Sequence, residues 1–265
     1  MGHGVPRLRH TVSLLFRPAN TTIWGKGGIA VNILSRLRGI RRKDLLMAGL
    51  IVMTAVGITW TGIAFKQSMF RIIPLYVSLI VGLLQSRANR WGYLLGGLNS
   101  VLYAAVYFTF GLYATAASAL LTSFPVQIAT FIRWSRHKYK STTEFRSMKL
   151  RQWLLLVGGF AVCFGGLWII LSVSGSSYRL LDNSLTLVGL FSSVLTLFAF
   201  KEYTFFMLGS GTVNILLNAN MMAEYPAQIT YLIYSIYSMV CIVRQFFFVN
   251  RLFREQKMLA AKRGE

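Results

Sequence analysis

Apolar positions in this chain come in long blocks, with polar positions collected between them. Eight blocks of about 17 to 25 residues reach the length a helix needs to cross a bilayer, near 45–65, 70–86, 91–110, 114–134, 151–173, 184–200, 204–222 and 227–249. The second and sixth are the shortest and carry serines. The pattern predicts an all-α integral membrane protein of about eight transmembrane helices, with an arm (1–44), a transmembrane domain (45–250) and a tail (251–265).

Two blocks each place an asparagine deep in apolar sequence, and they resemble each other. Trp91-Gly92-Tyr93-Leu94-Leu95-Gly96-Gly97-Leu98-Asn99 stands about 115 residues before Phe206-Met207-Leu208-Gly209-Ser210-Gly211-Thr212-Val213-Asn214. At that shift Ser78 also meets Ser193 and Gly96 meets Gly211. An amide in hydrocarbon has no water to satisfy it, so it is expected to face a neighbouring helix or a wet cavity. The match makes 70–134 one repeat and 184–249 the other, with 151–173 as connector and the first helix as an addition. An odd number of helices repeated across one connector gives both copies the same orientation. This is the parallel, SWEET-like plan, with a pseudo-twofold axis along the membrane normal and a site at the repeat interface. A second likeness, Phe124-Pro125-Val126-Gln127-Ile128 with Tyr225-Pro226-Ala227-Gln228-Ile229, needs a different shift and places its prolines at different depths, so it is set aside.

Charge then orients the helices. The chain is 55% hydrophobic and 13% charged, yet its net charge is +21. On the eight-helix plan, 25 of the 28 Lys and Arg fall on one side, leaving Lys66, Arg71 and Arg179 on the other. Cytoplasmic loops retain positive charge, so both termini are expected in the cytoplasm of a multi-pass cell-membrane protein. The basicity is then topological and calls for no nucleic-acid partner. In the arm, Ile29, Ile33, Leu37 and Ile40 recur at helical spacing among Arg36, Arg38 and Arg41, which suits either a helix lying on anionic membrane lipids or an ordinary basic flank.

Catalytic signals are sparse. His3, His10 and His137 fall in predicted cytoplasmic segments, while Cys163 and Cys241 stand alone in apolar blocks, so no metal cluster or cofactor site is proposed. Asp182 and Glu224 are expected at the non-cytoplasmic face, the other acids at the cytoplasmic one, and none deep in a span. This argues against a proton relay or carboxylate-bound sodium site, and no P-loop is present. The reading is a transporter and not an enzyme. A membrane-embedded enzyme would need a cluster of His or acidic residues at depth.

Asn89-Arg90-Trp91-Gly92, Leu102-Tyr103, Gly111-Leu112-Tyr113 and Trp134, followed by Asp182-Asn183, Lys201-Glu202 and Asn214, resemble in order and spacing the signature of the PnuC-type vitamin transporters. The resemblance covers roughly 45–255. It implies import of nicotinamide riboside by facilitated diffusion, trapping by a cytoplasmic kinase, and a homotrimer. The family's second-half signature has tryptophans seven and four residues before the asparagine, implicated in stacking on the ligand base; here Met207 and Ser210 stand there. Thiamine, riboflavin or deoxynucleosides therefore stay open as substrates, with Phe205, Phe206 or Tyr103 as substitute aromatic faces. A substrate-capture subunit of an ATP-driven vitamin importer is a further alternative.

A nucleoside-like ligand needs stacking surfaces and uncharged hydrogen-bonding groups more than ion pairs. Asn99 and Asn214 are the first candidates for polar contacts, followed by Gln127, Asn218 and Thr212. Trp91, Tyr103 and Tyr107 are candidates for aromatic walls. Each has a structural alternative: amides join helices, and Trp91 can anchor at the interface. Gly96, Gly97, Gly209 and Gly211 are expected to allow close helix approach.

Overall fold

A computed structural model of the chain describes residues 42–174 and 178–263. The predicted amphipathic stretch of the arm lies outside them. The chain divides into a first unit, Met1–Met47, of which only the opening of one helix is described, and a second, Ala48–Glu265, which holds the other described residues.

Among the described residues eight helices follow one another: α1 (Arg42–Ala64), α2 (Met69–Gln85), α3 (Arg90–Thr109), α4 (Tyr113–Arg136), α5 (Leu150–Ser174), α6 (Arg179–Leu197), α7 (Tyr203–Glu224) and α8 (Ile229–Arg263). A short antiparallel hairpin, β1 (Lys138–Tyr139) with β2 (Thr142–Thr143), joins α4 to α5. Five of the eight, α1, α4, α5, α6 and α8, are long and apolar enough to cross a membrane, and α2 is a shorter apolar helix. The other two, α3 and α7, have the length, but their glycines and asparagines dilute the apolar signal.

Two boundaries differ from the sequence expectation. The predicted sixth block opens near 184, whereas α6 begins at Arg179 and takes Asp182 and Asn183 into the helix. At the other end α8 runs on to Arg263, so most of 251–265 is helix. Both differences have one cause. Hydropathy stops at the first charges, whereas backbone hydrogen bonding continues through them.

The helices are linked by compact turns built alike. Asn89 N donates to the Leu84 carbonyl, Leu112 N to that of Tyr107 and Phe200 N to that of Leu195, each closing a helix C-terminus with a residue of positive φ just before it. That residue is Gly111 (φ 69°) between α3 and α4, where glycine carries no penalty, but alanine at Ala88 and Ala199. Asn89 then caps α3 by accepting from Trp91 N. Within α4 a π-helical turn, Ala119–Ser123, precedes Pro125, which has no N–H to continue the regular ladder. Pro226 instead sits in a 3₁₀ turn ahead of α8, a different setting from that of Pro125.

Packing follows a simple plan. α3 lies against α2 and α4, and α7 against α6 and α8. The two groups meet through α2 with α8 and α4 with α6, while α5 packs on α6. Apolar cores close both ends: Ala88, Tyr93, Trp134, Phe145, Leu195 and Tyr203 at the basic end, and Leu112, Leu185, Leu217 and Met221 at the other. α5 exposes Leu154, Leu155, Val162, Ile169 and Ile170, an apolar surface suited to lipid.

Candidate functional site

Three cavities lie along the seam between the two groups of helices. The first, about 370 Å³, opens at the end carrying Arg71 and is lined by Gln67, Phe110, Tyr178, Glu224 and Tyr231, among others. A central pocket of about 20 Å³, room for about one water, is walled by Tyr103, Tyr107, Asn214, Asn218 and Tyr234. The third, about 100 Å³, lies toward the basic end among Gln85, Tyr93, Gln127, Thr130, Ser193 and Met207. Phe110, Gln228 and Tyr231 line both the first and the central cavity and so form the wall between them.

The central pocket is aromatic on one side and amide on the other. Tyr103 and Tyr107 stack with centroids 5.4 Å apart. Asn218 Nδ2 contacts the Asn214 Oδ1 at 2.7 Å and donates to Ser235 Oγ at 2.8 Å, and Asn218 Oδ1 accepts from Gln228 Nε2 at 2.7 Å. Asn214 and Asn218 stand one helical turn apart on α7, Gln228 precedes α8 and Ser235 is on it, so this chain of amides ties α7 to α8 and presents polar edges to the pocket.

The structure separates the two repeat asparagines. Asn99 is buried and donates from Nδ2 to the Pro74 carbonyl (3.0 Å) and to Ser78 Oγ (2.8 Å), joining α3 to α2. Ser78 in turn donates to Tyr103 Oη at 3.1 Å, so Asn99 acts on the pocket through Tyr103. Its Oδ1 is buried without a partner among the described residues, as is Gln127 Oε1. Gln127 donates from Nε2 to Ser100 Oγ, and its carbonyl end occupies the notch left by Gly96, where a Cβ would come within 2.3 Å. Gly211 allows a similar approach by Met239 and Ile242, whereas Gly209 has only ordinary contacts.

Of the residues predicted for the site, Tyr103, Tyr107, Asn214 and Asn218 converge on the central pocket and Gln127 lines the inner cavity. Thr212 is exposed and its hydroxyl donates to the Leu208 carbonyl of its own helix. Trp91 is exposed near the basic end, its ring 5.0 Å from Phe131, away from the pocket. Phe206 stacks on Trp153 and Phe205 packs on Phe246, so neither reaches the pocket, and of the three substitute aromatics only Tyr103 does. Sequence reasoning missed Gln228, Tyr231, Tyr234 and Ser235. Their helical spacing from 228 to 235 puts polar groups on one face, and that was the available signal.

Asp182 stands near a helix end, as the sequence suggests, yet it is buried. It is fully buried within the first turn of α6, accepting at Oδ1 from Thr115 N at 3.1 Å and from the Thr115 hydroxyl. Donors at the start of α4 replace the water that the carboxylate gives up. Glu224 does lie at the cavity mouth, where Tyr178 Oη donates to its Oε2 at 2.7 Å. Burial, and then this hydrogen bond, raise the Tyr178 phenol to about 12. Among the described residues no group of three His, Cys, Asp or Glu is placed to hold a metal ion.

Comparison with known proteins bears on the family and the fold. Residues 68–246, well over half of the chain, match the family described as nicotinamide mononucleotide transporter. The chain belongs to that family. A nicotinamide riboside transporter PnuC from Neisseria mucosa is 31% identical over 116 residues, 42% of this chain and 44% of that one, so the match spans less than half of the relative's length. The crystal structure of the vitamin B3 transporter PnuC has the same fold, with a TM-score of 0.70 at 20% identity over 82% of this chain and 94% of that one. Family, fold and apolar helices together make the chain a multi-pass, all-α membrane protein of the nicotinamide mononucleotide transporter family.

Proposed function

We propose that this chain carries a nucleoside-like vitamin precursor, nicotinamide riboside foremost, across the cell membrane by facilitated diffusion, with a cytoplasmic kinase trapping the cargo as a charged phosphate. The observation that carries this reading is the seam itself: an open cavity of about 370 Å³, a central aromatic and amide pocket, and a polar cavity toward the basic end, in line between two groups of helices. Stacked tyrosines suit a flat ring, amides and hydroxyls suit a carboxamide and a sugar, and neither needs an ion pair. The relative from Neisseria mucosa is named for the same cargo, and the family is described by the mononucleotide, its phosphorylated form. The protein thus works by conformational change and not by chemistry.

The parallel-repeat plan fits the packing. If α2–α4 and α6–α8 are equivalent, a twofold axis exchanges the α2–α8 contact with the α6–α4 contact, and both are present. α5 is then the connector (151–173) and α1 the addition, with repeats near 70–134 and 184–249. The basic end faces the cytoplasm, with both termini there, and the larger cavity opens outward. The exposed face of α5 is the surface proposed to meet two further copies in a homotrimer.

Uptake into liposomes containing the purified chain tests the proposal. Nicotinamide riboside should equilibrate without an ion gradient, and a trapped riboside kinase with ATP should drive accumulation beyond equilibrium. Entry of thiamine, riboflavin or a deoxynucleoside instead would keep the carrier and replace the cargo. Binding without entry, restored by an ATPase partner, would replace the carrier with a capture subunit.

A further inference from the structure

We propose that the outer cavity is a cation-selecting site of its own, formed by the faces of Phe110 and Tyr231 and the carboxylate of Glu224, which takes the positively charged aromatic ring of the cargo before it reaches the central pocket. The inference rests on the carrier reading above and narrows it: ligands with a fixed positive ring charge are selected over neutral nucleosides.

The Phe110 face already holds a cation. The Arg71 guanidinium lies over that ring, 4.8 Å from its centroid. A guanidinium is planar, delocalised and weakly hydrated, the same class of group as a pyridinium or thiazolium ring. Arg71 is therefore an internal stand-in for a charged heteroaromatic ring. Tyr231 completes the platform, meeting Phe110 edge to face at 5.4 Å and 86°. Its hydroxyl donates to the Arg71 backbone carbonyl at 2.8 Å, so the aromatic pair and the turn carrying the arginine are held together.

Glu224 supplies the counter-charge. Among the described residues it is the sole acid lining the cavity, as Arg71 is the sole base. When a ring cation takes the Phe110 face, the partly exposed arginine can swing to the mouth. The carboxylate then attracts the ring cation, against repulsion from Arg71; a neutral ring gains neither the quadrupole nor the carboxylate attraction. The cavity also has the volume for the task, about 370 Å³ at the low end of small-molecule sites. Because Phe110 and Tyr231 also wall the central pocket, a ring seated on them stands at the entrance to it.

The experiment compares nicotinamide riboside with its reduced dihydro form. Sugar and carboxamide are the same, but one ring is a cation and the other neutral. Binding to the full chain in lipid nanodiscs is measured by calorimetry, and uptake in liposomes is followed separately. The cationic form should bind on the order of tenfold tighter, with Glu224→Gln bringing the ratio close to one and Arg71→Gln raising affinity for the cation. Phe110→Leu, the second variant, should also remove the preference. Equal binding of the two forms, a ratio that survives Glu224→Gln and Phe110→Leu, or binding of neither form overturns the site. Uptake of both forms without preference overturns it and leaves the carrier standing, whereas charge-selective binding without any uptake supports the site and removes the carrier.

Discussion

Trp134 Nε1 donates to the Thr196 carbonyl oxygen at 3.1 Å, and this bond fastens α4 to α6 at the basic end of the seam. The indole is fully buried, with Tyr93 edge-on at 4.7 Å and Phe145 at 5.6 Å. A bulky ring with its single donor satisfied is costly to change, because the partner carbonyl has no water to turn to. Trp134→Phe should retain most of the packing but lose the bond, destabilising the protein by about 1–3 kcal/mol. Thermal unfolding in detergent measures it, and an unchanged transition would show that the bond contributes nothing.

Asn214 and Asn218 share one hydrogen-bond chain but have different roles. Asn218 bonds across to Ser235 and accepts from Gln228, whereas the Asn214 side chain is bonded within its own helix. Asn214→Ala should weaken binding of the carried nucleoside by about tenfold or more, the size expected for a lost polar contact in a dry site, with little change in thermal stability. Asn218→Ala should lose both, with stability falling by about 1–3 kcal/mol. Calorimetric binding alongside unfolding separates the two effects; equal stability losses would contradict the division.

Three glycines should respond differently to the same added methyl group. At Gly92 a Cβ would meet Leu84 Cβ at 2.9 Å and the Gln85 backbone nitrogen at 3.0 Å, atoms that cannot swing away. Gly92→Ala should cost about 1–3 kcal/mol. At Gly96 the nearest atom is the mobile end of Gln127, so Gly96→Ala should fold but displace that amide in the inner cavity and slow uptake. Gly189 has nothing within 4 Å, and Gly189→Ala should be neutral or stabilise by about 0.5–1 kcal/mol through helix propensity. Melting points of the three variants and uptake by Gly96→Ala check this order.

The Tyr178 phenol, held neutral by burial and by its bond to Glu224, should ionise near about 12, well above its usual value of 10. Since the folded-state value is raised, the stabilisation is complete below pH 10 and is lost as pH climbs through 12. A phenolate absorbance titration of the wild type minus that of Tyr178→Phe should show one transition near 12; a transition near 10 would contradict the bond.

The chain by itself determined its solvent and its helices. Blocks of apolar residues long enough to span hydrocarbon can satisfy their backbone only as helices, so the number of elements and most of their limits were legible without coordinates. The site was legible in part. Asn214, Asn218, Tyr103 and Tyr107 stand out because amides and stacked phenols are rare in such surroundings, and the structure brings them to one pocket. Only tertiary packing decided which way each polar group faces. Asn99 turns into α2 because Pro74 and Ser78 offer it partners there, and Thr212 turns outward and satisfies itself on its own helix. Asp182 is buried because the N-terminus of α4 arrives with donors from a segment 67 positions away. Hydropathy records what a residue costs to bury, whereas the partner that offsets that cost comes from another helix and is absent from local sequence.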